Sequence, residues 1–384
     1  MVSNKLIARL AGLLLLGACS AILLSAQEPF QPRTFTDPVT NTTYRLERYL
    51  LANFPVGMAF LPDGTLLYNE KTTGSVRLVT PEGRLQPQPV ITLPTSALQE
   101  RGMLGLAIDP NFAENGFVYV VHTREGTVRD FPANQLVRFR LVEGRGADPQ
   151  VLASYPITNG SLLHNGGNVH FDADGRLYLS LGDYGEPAHA QDLASPLGKI
   201  LRFEVTEEGL IPAAGNPYGD DNPAYAIGFR NPFDFTFDAL TGRMYVSEVG
   251  PSCDDEINLV LPGFNYGWRP NYECIGTGLI RGLTLYAPPL LSFTPVEAPT
   301  GLIVYRGAAF PAWQGDLLFC NWNFGDLRRV VLSADGTKAE AVHKLDLGRV
   351  GCRIDLVEGP DGAIYFGTVE AGSGAIMRLV PVTP

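Results

Sequence analysis

Six copies of one sequence pattern constrain the fold of this chain more than any other feature. Each copy combines an apolar stretch, a turn that contains glycine, and a run rich in Val, Leu, Tyr and Phe, as in "FDADGRLYLSLGD" from residue 171. Strand-forming residues on both sides of an Asp-Gly turn or its equivalent predict a β-hairpin. The turn glycines of the six copies are Gly64, Gly116, Gly175, Gly242, Gly315 and Gly362.

The spacing of these hairpins predicts the architecture. Successive turn glycines lie about 47 to 73 residues apart, which leaves room for a four-stranded unit and a variable loop. We find no long stretch with sustained 3.6-residue periodicity. The sequence therefore predicts an all-β fold, a six-bladed β-propeller, as a single domain over residues 27–384. A pair of packed sheets with similar turns is the alternative, and six regular copies argue against it.

The first residues predict export. Lys5 and Arg9 precede an apolar run, which is the pattern of a secretory signal over residues 1–26. The sequence "LGAC" at residues 16–19 resembles a lipoprotein box, which would place a lipid anchor on Cys19. The apolar residues that follow it favour ordinary cleavage near Ala26 instead, and both routes remain open.

Four cysteines remain under either route, and export makes disulfides the expected state. We predict the pairs Cys253–Cys274 and Cys320–Cys352, although four cysteines allow three connectivities. A metal-thiolate site is the alternative, but the chain has no CxxC spacing. The net charge is −11, and no cluster of Lys and Arg could follow a phosphate backbone, so nucleic acid is not an expected partner.

One hairpin has a histidine before its first strand and a carboxylate after its second, in "HNGGNVHFDADGRLYLSLGD" at residues 164–183. With a tight turn at Asp174-Gly175, Asp183 lies opposite Gly166, which brings His164 and Asp183 to the same open end. An imidazole oriented by a carboxylate is the base that proton abstraction needs. The alternative is a loop histidine and an aspartate that only caps its turn.

Two further segments carry polar groups that could join this pair. Arg230 and Asn231 stand at the start of the next hairpin, where an arginine could also form only a surface salt bridge. Beyond that hairpin, Gly250 and Pro251 are followed by three carboxylates at residues 254–256. Carboxylates and free carbonyls are the oxygen ligands that Ca²⁺ prefers, and a solvated acidic turn is the alternative.

Taken together, these segments resemble the soluble glucose/sorbosone and aldose sugar dehydrogenases that depend on pyrroloquinoline quinone (PQQ). The similarity runs through nearly the whole chain after the leader, and the DDEIN and NYGW segments are its most specific parts. It is carried by "RGMLGLAIDPNF" (101–112), "HNGG" (164–167), "GFRNPFDF" (228–235), "EVGPSCDDEINLV" (248–260), "NYGW" (265–268) and "GPDGAIYF" (359–366).

In that family a six-bladed propeller holds PQQ and Ca²⁺ over its channel. The resemblance implies that His164 takes the proton from the C1 hydroxyl of an aldose while hydride passes to the quinone. Asp183 would orient His164, and Arg230 would stabilise charge on the quinone oxygens with Asn231 beside it. The product would be a lactone, and the electrons would pass to an external acceptor.

The resemblance also implies the metal ligands. Carbonyl oxygens of Gly250 and Pro251 would hold the Ca²⁺ that polarises the quinone. Glu256 and Tyr266 match a second, structural Ca²⁺ site that some members have.

The sequence departs from the family where PQQ carboxylates are bound. A family lysine is absent from "CNWNFGDLRRV" (320–330), and a family Arg-x-Arg is replaced by "GCRID" (351–355). Asn323 and Arg353 are the cofactor contacts that we predict in these two stretches. The cations that could compensate are Arg328, Arg329, Arg349 and Arg353. The departures leave two other functions open, a Ca²⁺-binding propeller that has lost PQQ and a Ca²⁺-dependent lactonase on the same architecture.

Overall fold

Strands make up nearly all of the regular structure in the computed structural model, which describes residues 30–370 and 373–382. The helical elements in these ranges are short: α1 (Phe112–Asn115) and two 3₁₀ turns, Pro187–Gln191 and Pro311–Trp313. None of the helices in the described part of the chain has the length and apolar character of a membrane span. The predicted leader and Cys19 lie outside the described residues.

The strands follow one another in groups along the chain. In chain order they are β1 (Arg33–Thr36), β2 (Thr43–Ala52), β3 (Pro55–Phe60), β4 (Leu66–Glu70), β5 (Ser75–Val79), β6 (Ile91–Thr92), β7 (Met103–Ile108), β8 (Phe117–Arg124), β9 (Ala133–Val142), β10 (Arg145–Pro156), β11 (Gly166–Phe171), β12 (Leu177–Leu181), β13 (Lys199–Val205), β14 (Leu210–Pro212), β15 (Ala224–Ile227), β16 (Pro232–Phe237), β17 (Met244–Glu248), β18 (Asp255–Val260), β19 (Leu291–Phe293), β20 (Pro299–Val304), β21 (Leu317–Asn321), β22 (Leu327–Leu332), β23 (Ala339–Leu345), β24 (Leu356–Glu358), β25 (Ile364–Glu370) and β26 (Ser373–Pro381).

Within the described residues these strands form six antiparallel sheets, which are the blades of a propeller. Blades 1 to 5 contain β3–β6, β7–β10, β11–β15, β16–β19 and β20–β23. Blade 6 combines β24, β25 and β26 with β2 and β1, so the two ends of the fold share one sheet. The first strands of the blades, β3, β7, β11, β16, β20 and β24, contact one another in a closed ring around the central channel. The predicted six-bladed propeller is confirmed, and the packed-sheet alternative is wrong.

The six predicted turns join the first and second strands of the six blades. Their glycines have φ angles between 67° for Gly116 and 90° for Gly315, in the left-handed region that favours glycine. The apolar faces of neighbouring blades pack together, as where Leu67 and Val76 of blade 1 meet Val118 of blade 2. Burying each such side chain contributes about 1.5–3 kcal/mol, so the repeat that sets the turns also builds the core.

The inner strands approach one another closely at the middle of the channel. A Cβ added at Gly105 would lie 2.6 Å from the carbonyl oxygen of Gly167, and one at Gly301 would lie 2.5 Å from Cα of Asp355. The buried residues Asp234 and Asp355 line the small cavity that remains there. We call the face at which the inner strands begin the upper face, and the candidate site lies in the loops above this narrow section.

Candidate active site

The hairpin formed by β11 and β12 places His164 and Asp183 together by a different register from the one predicted. His170 pairs with Tyr178 because residues 173–175 form a three-residue loop closed by Asp172 and Arg176, and the predicted two-residue turn was wrong. An irregularity after Gly166 shifts the pairing again, so Gly166 faces Leu181 and not Asp183. Bulges of this kind redirect the side chains at the end of a strand.

Despite this shift, the predicted proximity of the two side chains is confirmed. His164 Nδ1 lies 2.6 Å from Asp183 Oδ1, and the side chain of Asp183 is fully buried while that of His164 is 12 % exposed. Asp183 also accepts hydrogen bonds from the backbone N–H of Gly185 at 2.7 Å and from Nε1 of Trp268 at 2.7 Å. An ionised carboxylate only accepts, so it orients His164 with Nδ1 as the donor and leaves Nε2 as the basic nitrogen.

Glu100 holds the backbone around this pair, and the sequence analysis did not identify it. Its Oε2 accepts a hydrogen bond from the backbone N–H of His164 at 2.6 Å and one from Nδ2 of Asn231 at 3.3 Å. His164 has a φ of 57°, which is uncommon for a residue with a side chain, and this contact helps to hold it. The motif that begins at Arg101 was a signal next to Glu100 that could have drawn attention to it.

Arg230 and Asn231 lie at the same mouth of the channel. Their backbone N–H groups donate to Oε1 of Glu248 at 2.7 and 3.0 Å, and Oδ1 of Asn231 accepts from the N–H of Gly166 at 3.0 Å. The guanidinium of Arg230 donates to the carbonyl of Val249 at 2.8 Å and lies 5.7 Å from the ring centre of Trp268. It therefore contacts a carbonyl and an aromatic ring, and it forms no salt bridge with any residue in the ranges 30–370 and 373–382.

The four predicted metal ligands line one small pocket beside this mouth. Gly250, Pro251, Glu256 and Tyr266 share it with Gly228, Glu248, Asp254, Trp268 and Tyr272. The hydroxyl of Tyr266 donates to the carbonyl of Leu259 and accepts from the N–H of Leu261, both at 2.9 Å. Tyr266 can therefore offer a metal only its carbonyl oxygen. The thiolate alternative is wrong, because Cys253–Cys274 and Cys320–Cys352 are disulfides, as predicted.

The electrostatics of this pocket favour a cation. Burial raises the pKa of Glu248 to about 8, and its Oε2 has no hydrogen-bond partner among the described residues. The pKa of Glu256 also lies well above its usual range, because burial and the carboxylates of Glu248, Asp254 and Asp255 all raise it. Buried carboxylates without a compensating charge are costly, and a hard divalent cation would remove that cost.

The arginines near the last two blades differ in what they can bind. Arg329 is fully buried in ion pairs with Asp316 and Asp37, and Arg328 pairs with Glu297 and Asp326. Buried Arg329 is therefore closed to a ligand, whereas the guanidinium of Arg328 is already neutralised by two carboxylates but stays partly exposed. Arg349 is exposed.

Asn323 and Arg353 lie in the upper loops of blades 5 and 6. Nδ2 of Asn323 donates to the carbonyl of Val296 at 2.9 Å, and this side chain is exposed. The guanidinium of Arg353 donates to the carbonyl of Trp322 and forms no ion pair within the described ranges. Arg353 is therefore the better placed of the two to bind an anion.

Lys71 is a second cation at this rim that the sequence analysis did not predict. Its ammonium lies 5.2 Å from the ring centre of Phe54, which stacks on Trp322 at 6.3 Å. Its hydrogen bond to the carbonyl of Ala97 is long, at 3.5 Å. Burial lowers the pKa of Lys71, and the charge of Glu100 opposes that shift. Lys71 thus faces the carboxylate that supports His164.

Comparison with known proteins places these features in context. The chain matches the family model described as Glucose / Sorbosone dehydrogenase over residues 52–378. It is 28 % identical to the aldose sugar dehydrogenase YliI of Escherichia coli K12, over 85 % of this chain and 90 % of that protein. It is 31 % identical to the uncharacterized protein slr1608 of Synechocystis, over 85 % of this chain and 83 % of that protein. The PQQ-bound structure of aldose sugar dehydrogenase from Streptomyces coelicolor matches 92 % of this chain and 99 % of its own, with a TM-score of 0.73 and 26 % identity.

Proposed function

Since the chain belongs to the glucose/sorbosone dehydrogenase family, we propose that it is an exported, PQQ- and Ca²⁺-dependent enzyme that oxidises aldose sugars to lactones. The observation that carries the proposal is the pair His164–Asp183, with 2.6 Å between Nδ1 and Oδ1, at the same channel mouth as Arg230. An oriented base, a guanidinium and an oxygen-lined pocket are the groups that this oxidation needs in one place. The disulfides are in keeping with an oxidising compartment.

His164 is the proposed base for the anomeric hydroxyl. Its Nε2 takes the hydroxyl proton as the C1–O bond gains double-bond character, and buried Asp183 stabilises the imidazolium that forms. Bound PQQ would supply the acceptor for the hydride that leaves C1. The two electrons would then pass from PQQ to an external acceptor, and His164 would return its proton to solvent. The chain's own part is to orient the base.

The residues present fit PQQ at its quinone end and in part at its carboxylate end. Arg230 offers a positive charge that no carboxylate of the described residues neutralises by an ion pair. Arg353 and Lys71, at the rim, also form no ion pair with a described carboxylate. Neither occupies the place of the family's missing lysine. These two cations would each form a charge-assisted contact with a PQQ carboxylate. The carbonyls of Gly250 and Pro251 would hold the Ca²⁺ that acts on the quinone, and Glu256 and Tyr266 would bind the second, structural Ca²⁺.

Reconstitution tests this proposal. PQQ and Ca²⁺ are added to the apo-protein, the quinone absorption is followed, and dye reduction is measured with a panel of aldoses while lactone is assayed as product. We expect a red-shifted quinone spectrum and sugar-dependent turnover. His164→Ala should keep the spectrum and lose dye reduction, whereas His343→Ala, in β23, should keep both. No spectral change and no turnover at micromolar PQQ would refute the proposal.

One observation favours a second function, a Ca²⁺-binding propeller that has lost PQQ. Asn323 stands where a cation would be expected in blade 5, and its side chain is bound to a backbone carbonyl. In that case Ca²⁺ would raise the melting temperature, but PQQ would change neither the spectrum nor the stability. Lactone hydrolysis without PQQ would instead identify a lactonase.

A further inference from the structure

The NYGW segment is the most specific motif of this chain that the proposed chemistry leaves unexplained. We propose that its tryptophan, Trp268, is a positioning residue that fixes the orientation and proton affinity of His164 through Asp183. The kinetic consequences rest on the proposed function, but the effect on His164 itself does not. Asp183 and Trp268 are 85 residues apart in the chain, so the contact joins blade 3 to the long loop after β18.

The indole completes the binding of the Asp183 carboxylate. His164 Nδ1 and the N–H of Gly185 both approach Oδ1, at 2.6 and 2.7 Å, whereas Nε1 of Trp268 donates to Oδ2 at 2.7 Å. Because the side chain of Asp183 is fully buried, no bulk water can replace that donor. The carboxylate is held at both oxygens and therefore cannot rotate away from His164. Without the indole N–H, Oδ2 would be a buried acceptor with no partner.

The other residues of the motif hold the indole in place. Asn265 exchanges hydrogen bonds with Gln191, at 2.7 and 3.1 Å, and Gln191 Nε2 donates to the carbonyl of Trp268 at 2.6 Å. Tyr266 stacks on Phe229 with 4.7 Å between ring centres.

Gly267 fits a position that no other residue could occupy easily. Its φ is 91°, and an added Cβ would lie 2.5 Å from Cδ1 of Ile280. Asn265, through Gln191, thus braces the carbonyl of Trp268, and Gly267 permits the close packing of the backbone just before the indole.

Trp268 also touches the second charged group of the site. The guanidinium of Arg230 lies 5.7 Å from the ring centre of the indole, within the range of a cation–π contact. The indole of Trp268 therefore contacts both the carboxylate of Asp183 and the guanidinium of Arg230. A phenylalanine at this position would keep the aromatic face toward Arg230 and would lose only the N–H.

The sign of the effect on His164 follows from the charges around the pair. Glu100 accepts from the backbone of His164, Lys71 faces Glu100, and Arg230 and Glu248 lie on the side of Asp183. Of these groups none is a hydrogen-bond donor to Oδ2 of Asp183 in the described structure. A donor to a carboxylate favours its ionised form and weakens its hold on a proton. Removal of the indole N–H should therefore increase the proton affinity of the His164–Asp183 pair.

The test is an NMR titration of the histidine rings in the apo-protein, which needs neither PQQ nor activity. The chain has five histidines, and His164→Ala assigns the His164 resonance. In Trp268→Phe we expect the apparent pKa of His164 to rise by about one unit. A shift of this size corresponds to only part of the free energy of a charge-assisted hydrogen bond. If the enzyme is active, the acid limb of kcat/KM should move up by the same amount. An unmoved titration in a folded Trp268→Phe protein would overturn the proposal.

Trp313→Phe is the matched control. Nε1 of Trp313 donates to Oδ2 of another buried aspartate, Asp37, at 3.0 Å, outside the candidate site. This variant should lose stability and leave the His164 titration unchanged. If Trp268→Phe does not fold, Gln191→Ala provides the second variant, because it removes the brace on the Trp268 carbonyl. It should shift the titration in the same direction by a smaller amount, and no shift would again overturn the proposal.

Discussion

Replacing Asp183 by asparagine should separate catalysis from stability. The carboxylate accepts three hydrogen bonds, from His164, Gly185 and Trp268, and asparagine keeps the shape but has only one acceptor oxygen. Its NH₂ group must face a donor, so one buried N–H loses its partner at a cost of about 1–3 kcal/mol. The loss in rate should be larger, because a neutral amide cannot stabilise the imidazolium. An oriented base contributes roughly 10²–10⁴-fold, which corresponds to about 3–5 kcal/mol of activation free energy.

The assay compares three quantities in Asp183→Asn and the parent protein. We expect kcat for dye reduction to fall by at least about 100-fold and the PQQ spectrum to persist. The free energy of unfolding in urea should fall by no more than about 1–3 kcal/mol. Asp37→Asn is the control, because Asp37 is equally buried, accepts from Trp313 Nε1 and pairs with Arg329. It should lower stability with little effect on kcat. A variant of Asp183 with normal turnover, or one whose rate falls only in proportion to unfolding, would refute the proposed role.

Other expectations concern the pH response, the channel and the cofactor. Burial lowers the pKa of His122 to about 4, so this residue binds a proton in the unfolded chain before it does in the folded one. Stability should therefore fall as pH drops from 7 to 5, by about 2 kcal/mol more than in His122→Gln, and urea titrations that show equal losses would contradict this. Gly105→Ala should lower unfolding stability by about 1–3 kcal/mol because its methyl group would meet Gly167, and an unchanged melting temperature would show that the channel has more room. Arg353→Ala and Lys71→Met should each weaken PQQ binding by about 10–100-fold in a spectral titration, whereas exposed Arg349→Ala should not; unaltered affinity would exclude them as carboxylate ligands.

The fold could be predicted from sequence because its determinants are local and repeated. In each blade a glycine occupies the same turn between strand-forming residues. Six copies of this pattern are compatible with few folds other than a six-bladed propeller. Closure could not be read from the same pattern. β2, near the start of the described chain, pairs with β26, near its end, as in Leu46 with Leu379. The residues of neither strand indicate which distant strand it will pair with.

The site was partly predictable for the same reason. His164 and Asp183 flank one hairpin, so their proximity survived an error in the turn length. Partners from distant segments were not predicted: Glu100 lies in the loop before β7, and Trp268 lies in the loop after β18. Their contacts depend on how blades are arranged around the channel, which no local spacing encodes. Conversely, the sequence allowed Arg329 to bind a cofactor carboxylate, but its guanidinium is buried in ion pairs with Asp37 and Asp316.

The most direct measurement of the central claim is a crystal structure of the protein with PQQ, Ca²⁺ and an aldose. We expect the quinone over the channel mouth with Arg230 at its oxygens, a Ca²⁺ on the carbonyls of Gly250 and Pro251, and the C1 hydroxyl within hydrogen-bond distance of His164 Nε2. PQQ bound at another face, or a sugar whose C1 hydroxyl lies beyond the reach of His164, would contradict it.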